Sequence, residues 1–185
     1  MVYQPPAGLS MDRLRAAGWG QQPRIKRFQG REPSLWWGNT TQSPAQQHAL
    51  QLTEDVSTAE LLVSLAEVLE LPGQGSDYHY ALQSTVAELR KRRQASPGPF
   101  GEIERLCRLD LQLALAVPDA VSFAEGQYVY IGAVDWLLEM YLTEGLLADA
   151  LWVVGVAERV GAGDRPRVRK ARERAARVAA EDAAV

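Results

Sequence analysis

The chain has 185 residues, 46% of them hydrophobic and 23% charged, with a formal net charge of −3 and one cysteine. That is enough for one compact domain, or one domain with a tail, to bury roughly 70% of its unfolded surface without a disulfide, and the lone Cys107 points to a reducing cytoplasm. Met1–Gly20 lacks the apolar core of about seven residues that a secretory leader needs, and the most apolar windows, Leu111–Val117 and Leu146–Val156, fall short of the roughly 20 residues that cross a bilayer, so neither export nor a membrane span is expected.

Charge is sorted into blocks. Six basic residues and no acidic one lie between Arg13 and Arg31; residues 32–89 carry eight acidic residues and no basic one; Arg90, Lys91, Arg92 and Arg93 follow as a cluster. Residues 110–158 again carry eight acidic residues and no basic one, and 165–177 has seven basic residues against Glu173 alone. The pattern predicts an acidic body with basic extremities, whose carboxylates need cations from those extremities or from a basic partner. Arginine outnumbers lysine 17 to 3, which suggests a GC-rich bacterial coding sequence.

Periodicity predicts helices almost throughout and no convincing strand. Ser10–Ala17 has the length of one short helix, after which closely spaced Gly and Pro residues make 18–42 a loop-rich stretch. Trp19, Phe28, Trp36 and Trp37 are too costly to leave in water, so residues 1–42 are expected to form a basic, aromatic arm packed on a helical body. That body spans 43–163. Ser43-Pro44-Ala45-Gln46 starts a short helix running to about Thr53. Ser57-Thr58-Ala59-Glu60 is a capping box before the stripe Leu61, Leu62, Leu65, Val68 and Leu69, which Pro72 and Gly73 end. A helix from about Asp77 carries Tyr78, Leu82, Val86 and Leu89 and closes in the Arg90–Arg93 cluster, where cations favour a helix C-terminus. Beyond Pro97-Gly98-Pro99, a helix over about 100–117 shows two stripes, one from Phe100 to Leu113 and one through Cys107, Leu111 and Leu115, implying two packed sides.

Tyr128 to Val160 reads as an antiparallel helical hairpin. Ile131, Val134, Leu137, Leu138 and Tyr141 precede Gly145, and Leu147, Ala150, Leu151, Val154 and Ala157 follow it, so the glycine supplies a left-handed turn. Leu137, Tyr141, Gly145, Ala150 and Ala157 follow a spacing that resembles a single tetratricopeptide repeat over about residues 131–160, with Leu138 departing from the family's small residue. The resemblance implies an all-α, irregular stack of antiparallel helical hairpins whose usual business is a peptide or protein partner. The last segment, 164–185, is predicted to be a basic C-terminal capping helix beginning near Asp164. Its stripe of Val168, Ala171, Ala175 and Val178 is narrow, so weak docking, fraying and a Glu173–Arg177 surface pair are expected.

Catalytic chemistry finds no foothold. His48 and His79 lie on different predicted helices; neither His-x3-His nor Cys-x2-Cys occurs; Cys107 sits on an apolar stripe as a core thiol. Phosphate-binding glycine loops and a nucleophile elbow are absent from the sequence, and no cofactor or metal is expected. The chain is therefore read as a non-enzymatic helical interaction or adaptor module, whose groove for a peptide or partner helix draws on Tyr128, Tyr130, Trp136, Tyr141 and Trp152. The alternative is a nucleic-acid-associated protein using Arg24, Lys26, Arg27, Phe28, Arg31, Trp36 and Trp37 together with the terminal arginine helix; the acidic body weighs against it. A salt-sensitive homodimer follows if the basic ends of one copy dock on the acidic middle of another.

Overall fold

Among the residues that the computed structural model describes (24–27, 29, 34–48, 50, 52, 55–92, 99–121 and 130–182), two short strands precede seven α-helices. They are β1 (Arg24–Lys26), β2 (Ser34–Trp36), α1 (Pro44–Gln47), α2 (Thr58–Glu70), α3 (Gly75–Arg92), α4 (Phe100–Ala116), α5 (Gly132–Glu144), α6 (Leu147–Arg159) and α7 (Pro166–Asp182), with a 3-10 turn at Pro118–Ala120. The chain is mostly helical, as the periodicity predicts. The strand pair is a departure from that reading: each strand has three residues, too few to show an alternating pattern. The expected helix at 10–17 lies outside the described residues. No described helix is long and apolar enough to cross a membrane.

The fold divides into two units, Met1–Ala81 and Leu82–Val185. In the first, β1 and β2 pair antiparallel with Arg24 opposite Trp36 and Lys26 opposite Ser34. Gly38, at φ 61°, turns the chain so that Trp37 and Thr40 exchange backbone hydrogen bonds of 2.7 and 3.2 Å. Ser43 caps α1 by accepting from the Gln46 N–H, and its hydroxyl donates to Asp77 at 2.6 Å. This helix ends at Gln47 instead of near Thr53, because four residues without an apolar stripe give too little packing to extend it. The capping box at Ser57 and Glu60 forms as its sequence predicts, and the Ser57 hydroxyl holds the Glu60 carboxyl below its ordinary range. Leu61, Leu65 and Val68 of α2 are buried.

In the second unit α5 and α6 are central: α5 packs on α4, α6 and α7, and α6 also meets α4 and α7. Two residues connect them, with Gly145 left-handed at φ 75°, and Leu137, Leu138, Ala150 and Ala157 are fully buried. The hairpin therefore stands where the leucine, glycine and alanine spacing puts it. One expectation for α4 changes. It buries a single face, Ile103, Leu106, Cys107, Asp110, Leu111 and Ala114, while Leu113 and Leu115 are only half-buried. The stripe through Leu115 therefore does not make a second fully packed side, and Asp110 is buried among the leucines. Against α5 and α6, α7 buries Val168 and Ala171 completely.

Candidate functional site

The described members of the predicted aromatic groove all belong to the second unit, and each has an arginine over its ring. Tyr128 lies outside the described residues. Trp136 is one helical turn beyond Gly132, and a Cβ at that glycine would lie 2.9 Å from the indole, so the missing side chain lets the ring lie against its own helix. Over the indole stands Arg90, with its guanidinium carbon 5.1 Å from a ring centroid and a hydrogen bond of 3.3 Å to Glu139. Trp136 and Met140 of α5, with Arg90, Phe100 and Ile103, line a small pocket of about 90 Å³. Drug-sized ligands take roughly 300 Å³ or more, so this pocket suits no more than one side chain.

Tyr141 and Trp152 share one cation. Arg108 of α4 lies 5.4 Å from the tyrosine ring and 5.0 Å from the tryptophan. It donates to Glu104 at 3.1 Å and to the Tyr141 hydroxyl at 2.8 Å, and pairs with Asp149 of α6. The Tyr141 hydroxyl in turn donates to Glu104 at 2.7 Å. Its ring is 1% exposed, so Tyr141 is a core residue joining α4, α5 and α6 and no wall of a groove. Burial, and then the hydrogen bond to Glu104, push its phenol well above the ordinary range and keep it protonated.

At the other end of α5, Tyr130 is 56% exposed and donates to Asp135 at 2.9 Å. Burial of the hydroxyl and that bond raise its phenol. Arg165, just before α7, covers the ring at 4.7 Å and donates to the Ile131 carbonyl at 2.8 Å and to Asp135 at 3.4 Å. Arg167 reaches Glu139 at 3.1 Å, Arg172 pairs with Glu158, and Arg174 donates to the Leu142 carbonyl at 2.6 Å, where an α5 C-terminal carbonyl favours a cation. Glu173 and Arg177, expected to pair, are both exposed with no ion pair between them.

The residues of the nucleic-acid alternative belong to the first unit. Arg24 and Arg27 are exposed, Trp37 is 9% exposed, and Lys26 stands 3.9 Å over Trp36. Phe28 and Arg31 lie outside the described residues. A base would have to displace Lys26 to stack on that face of Trp36.

Sequence reasoning picked the aromatics and missed their cations. Arg90–Glu139, Arg108–Asp149 and Arg165–Asp135 are separated by 49, 41 and 30 positions, so no local spacing announces them; the sorting of charge into blocks hints at the cations of the first and third, and nothing in the sequence marks Arg108. Among the described residues no group of three or more His, Cys, Asp or Glu is placed to hold a metal. Cys107 is fully buried, and burial raises its thiol far above the range of a reactive thiolate. The chain matches no protein-family model, and neither a similar curated protein nor a similar solved structure is found for it.

Proposed function

We propose that the chain is a non-enzymatic protein-interaction module, in which an irregular stack of helical hairpins of tetratricopeptide-like spacing offers the surface of α5 and α6 to a peptide or partner helix. The observation that carries this reading is the exposure of large apolar side chains around the hairpin: Tyr130 at 56%, Leu146 at 47% and Leu151 at 42%, with Trp136 and Trp152 half-buried. Aromatic side chains held at a surface by rigid helices are frequent anchors of protein contacts, and exposed apolar neighbours suit the apolar face of a docking helix.

A panel of fluorescent helical peptides tests this. The full chain should bind some of them at about micromolar to tens of micromolar Kd, and Leu151→Asp or Trp152→Ala should weaken binding at least about tenfold while far-UV helicity stays unchanged. Binding indifferent to both substitutions would contradict the reading. Nucleic-acid association ranks second, supported by the exposed Arg24 and Arg27, and predicts oligonucleotide binding that weakens steeply between about 50 and 200 mM salt.

A further inference from the structure

Helix α7 is held to the hairpin in an unusual way for a core helix. Its fully buried side chains are Val168 and Ala171, which together remove little apolar surface from water. Polar contacts to α5 and α6 come from a row of guanidiniums: Arg165, just before the helix, on Tyr130 and Asp135, Arg167 on Glu139, and Arg172 on Glu158. Two of the receiving side chains are largely open to solvent, Glu139 at 47% and Glu158 at 49%, so those pairs are screened and weak, whereas Asp135, at 17%, and Arg165, at 20%, are mostly buried. The same helix carries Arg169, Lys170 and Arg177, exposed and without a carboxylate partner among the described residues. The cations thus fall into one set that answers the hairpin's acids and one that answers no acid among the described residues.

We infer that the acidic and aromatic face of α5 and α6 is a docking surface for an arginine-bearing helix, and that α7 is its resident occupant, which a partner helix of the same chemistry displaces. The inference rests on the interaction-module reading and names the partner class. Three features define that class. The carboxylates of Asp135, Glu139 and Glu158 require cations at matching positions along one helix face. Arg165 both covers the Tyr130 ring and bonds the Ile131 carbonyl, which a planar guanidinium with several N–H donors does and an ammonium does poorly, so arginine is preferred over lysine. The contact stripe of Val168 and Ala171 demands small side chains at the interface. The connection from α6 to α7, with Gly161 left-handed at φ 73° and Gly163 half-buried, keeps the resident helix at high local concentration, so a free partner competes only if it binds better or if α7 is loosened.

The test uses the full chain and a fluorescent synthetic peptide of residues 164–180. The intact chain should bind it weakly. A chain carrying Arg165→Ala and Arg167→Ala, in which the resident helix is loosened and the carboxylates are kept, should bind at least about tenfold tighter at roughly 50 mM salt and lose that gain at roughly 500 mM. The same peptide with every arginine changed to lysine should bind about threefold or more weaker. Affinity equal for intact and loosened chains, or unchanged when Asp135→Asn and Glu139→Gln are added to the loosened chain, would overturn the inference. A second reading needs no partner and no substitution: amide exchange in α7 of the intact chain should accelerate about fivefold relative to α5 over the same rise in salt, whereas exchange in step with α5 marks α7 as ordinary core and overturns it. Loss of anchor-dependent peptide binding with salt-sensitive α7 exchange preserved sinks only the general interaction reading; the reverse result sinks only the resident-helix inference.

Discussion

The two basic ends of the chain look alike in sequence and behave differently in the structure. At the C-terminal end arginines meet carboxylates: Arg165, Arg167 and Arg172 pair with Asp135, Glu139 and Glu158, and Arg174 takes a helix-end carbonyl. In the N-terminal hairpin Arg24 and Arg27 stay exposed, and Lys26 stands over the face of Trp36, with no ion pair to an acid among the described residues. A run of positive charge therefore says little by itself. What decides its role is whether carboxylates stand at the right positions on the surface it meets, and α5 supplies them at Asp135 and Glu139, one helical turn apart.

The difference can be broken or sharpened by substitution, and apolar packing sets the upper scale. Leu137→Ala, in a fully buried position of α5, should cost about 2 to 5 kcal/mol and lower the melting temperature by several degrees or more; a loss under about 1 kcal/mol would mean that α5 is not the centre of its unit. Arg108→Ala removes donors from Glu104, Tyr141 and Asp149 together, and, since solvent screens the half-exposed guanidinium, should cost about 1 kcal/mol in urea unfolding. Gly145→Ala meets no neighbour but must adopt φ 75°, and should cost about 1 kcal/mol with the fold retained.

Acid titration probes a further contact. The hydrogen bond from Arg92, opposed by burial and aided by Lys91, holds the Glu88 carboxyl below its ordinary range. The charged form is thus favoured in the fold, so the stabilisation is present above the ordinary carboxylate range and is lost as pH falls through the lowered folded value. Glu88→Gln should flatten the acid limb of the stability curve; an unchanged limb would show that the contact contributes nothing. The smallest effect is expected at the other basic end, where Lys26→Ala should change stability by less than about 0.5 kcal/mol because an exposed cation–π contact is weak.

Local signals were legible wherever the physics is local. The capping box at Ser57, the proline start at Pro44 and the left-handed Gly145 could be read from neighbouring residues, and each element begins or turns where they indicate. The strands at 24–26 and 34–36 could not, because pairing across eight positions gives three-residue strands with no period of their own. Asp110, buried in the α4 face, is likewise unmarked by the helical spacing, which records apolar residues and not a carboxylate among them. The candidate site was half legible. Composition and spacing picked out Tyr130, Trp136 and Trp152 as large apolar groups, while their arginines come from distant parts of the chain: Arg90 and Arg165 were visible only as members of basic blocks, and Arg108 carried no signal at all.

That Asp135, Glu139 and Glu158 are answered by the chain's own terminal arginines is tested most directly by a double-mutant cycle between Arg167 and Glu139. Unfolding free energies of Arg167→Ala, Glu139→Gln and the double variant should give a favourable coupling of about 0.3 to 1 kcal/mol at roughly 20 mM salt that vanishes at roughly 1 M. Coupling indistinguishable from zero at the low salt would contradict it.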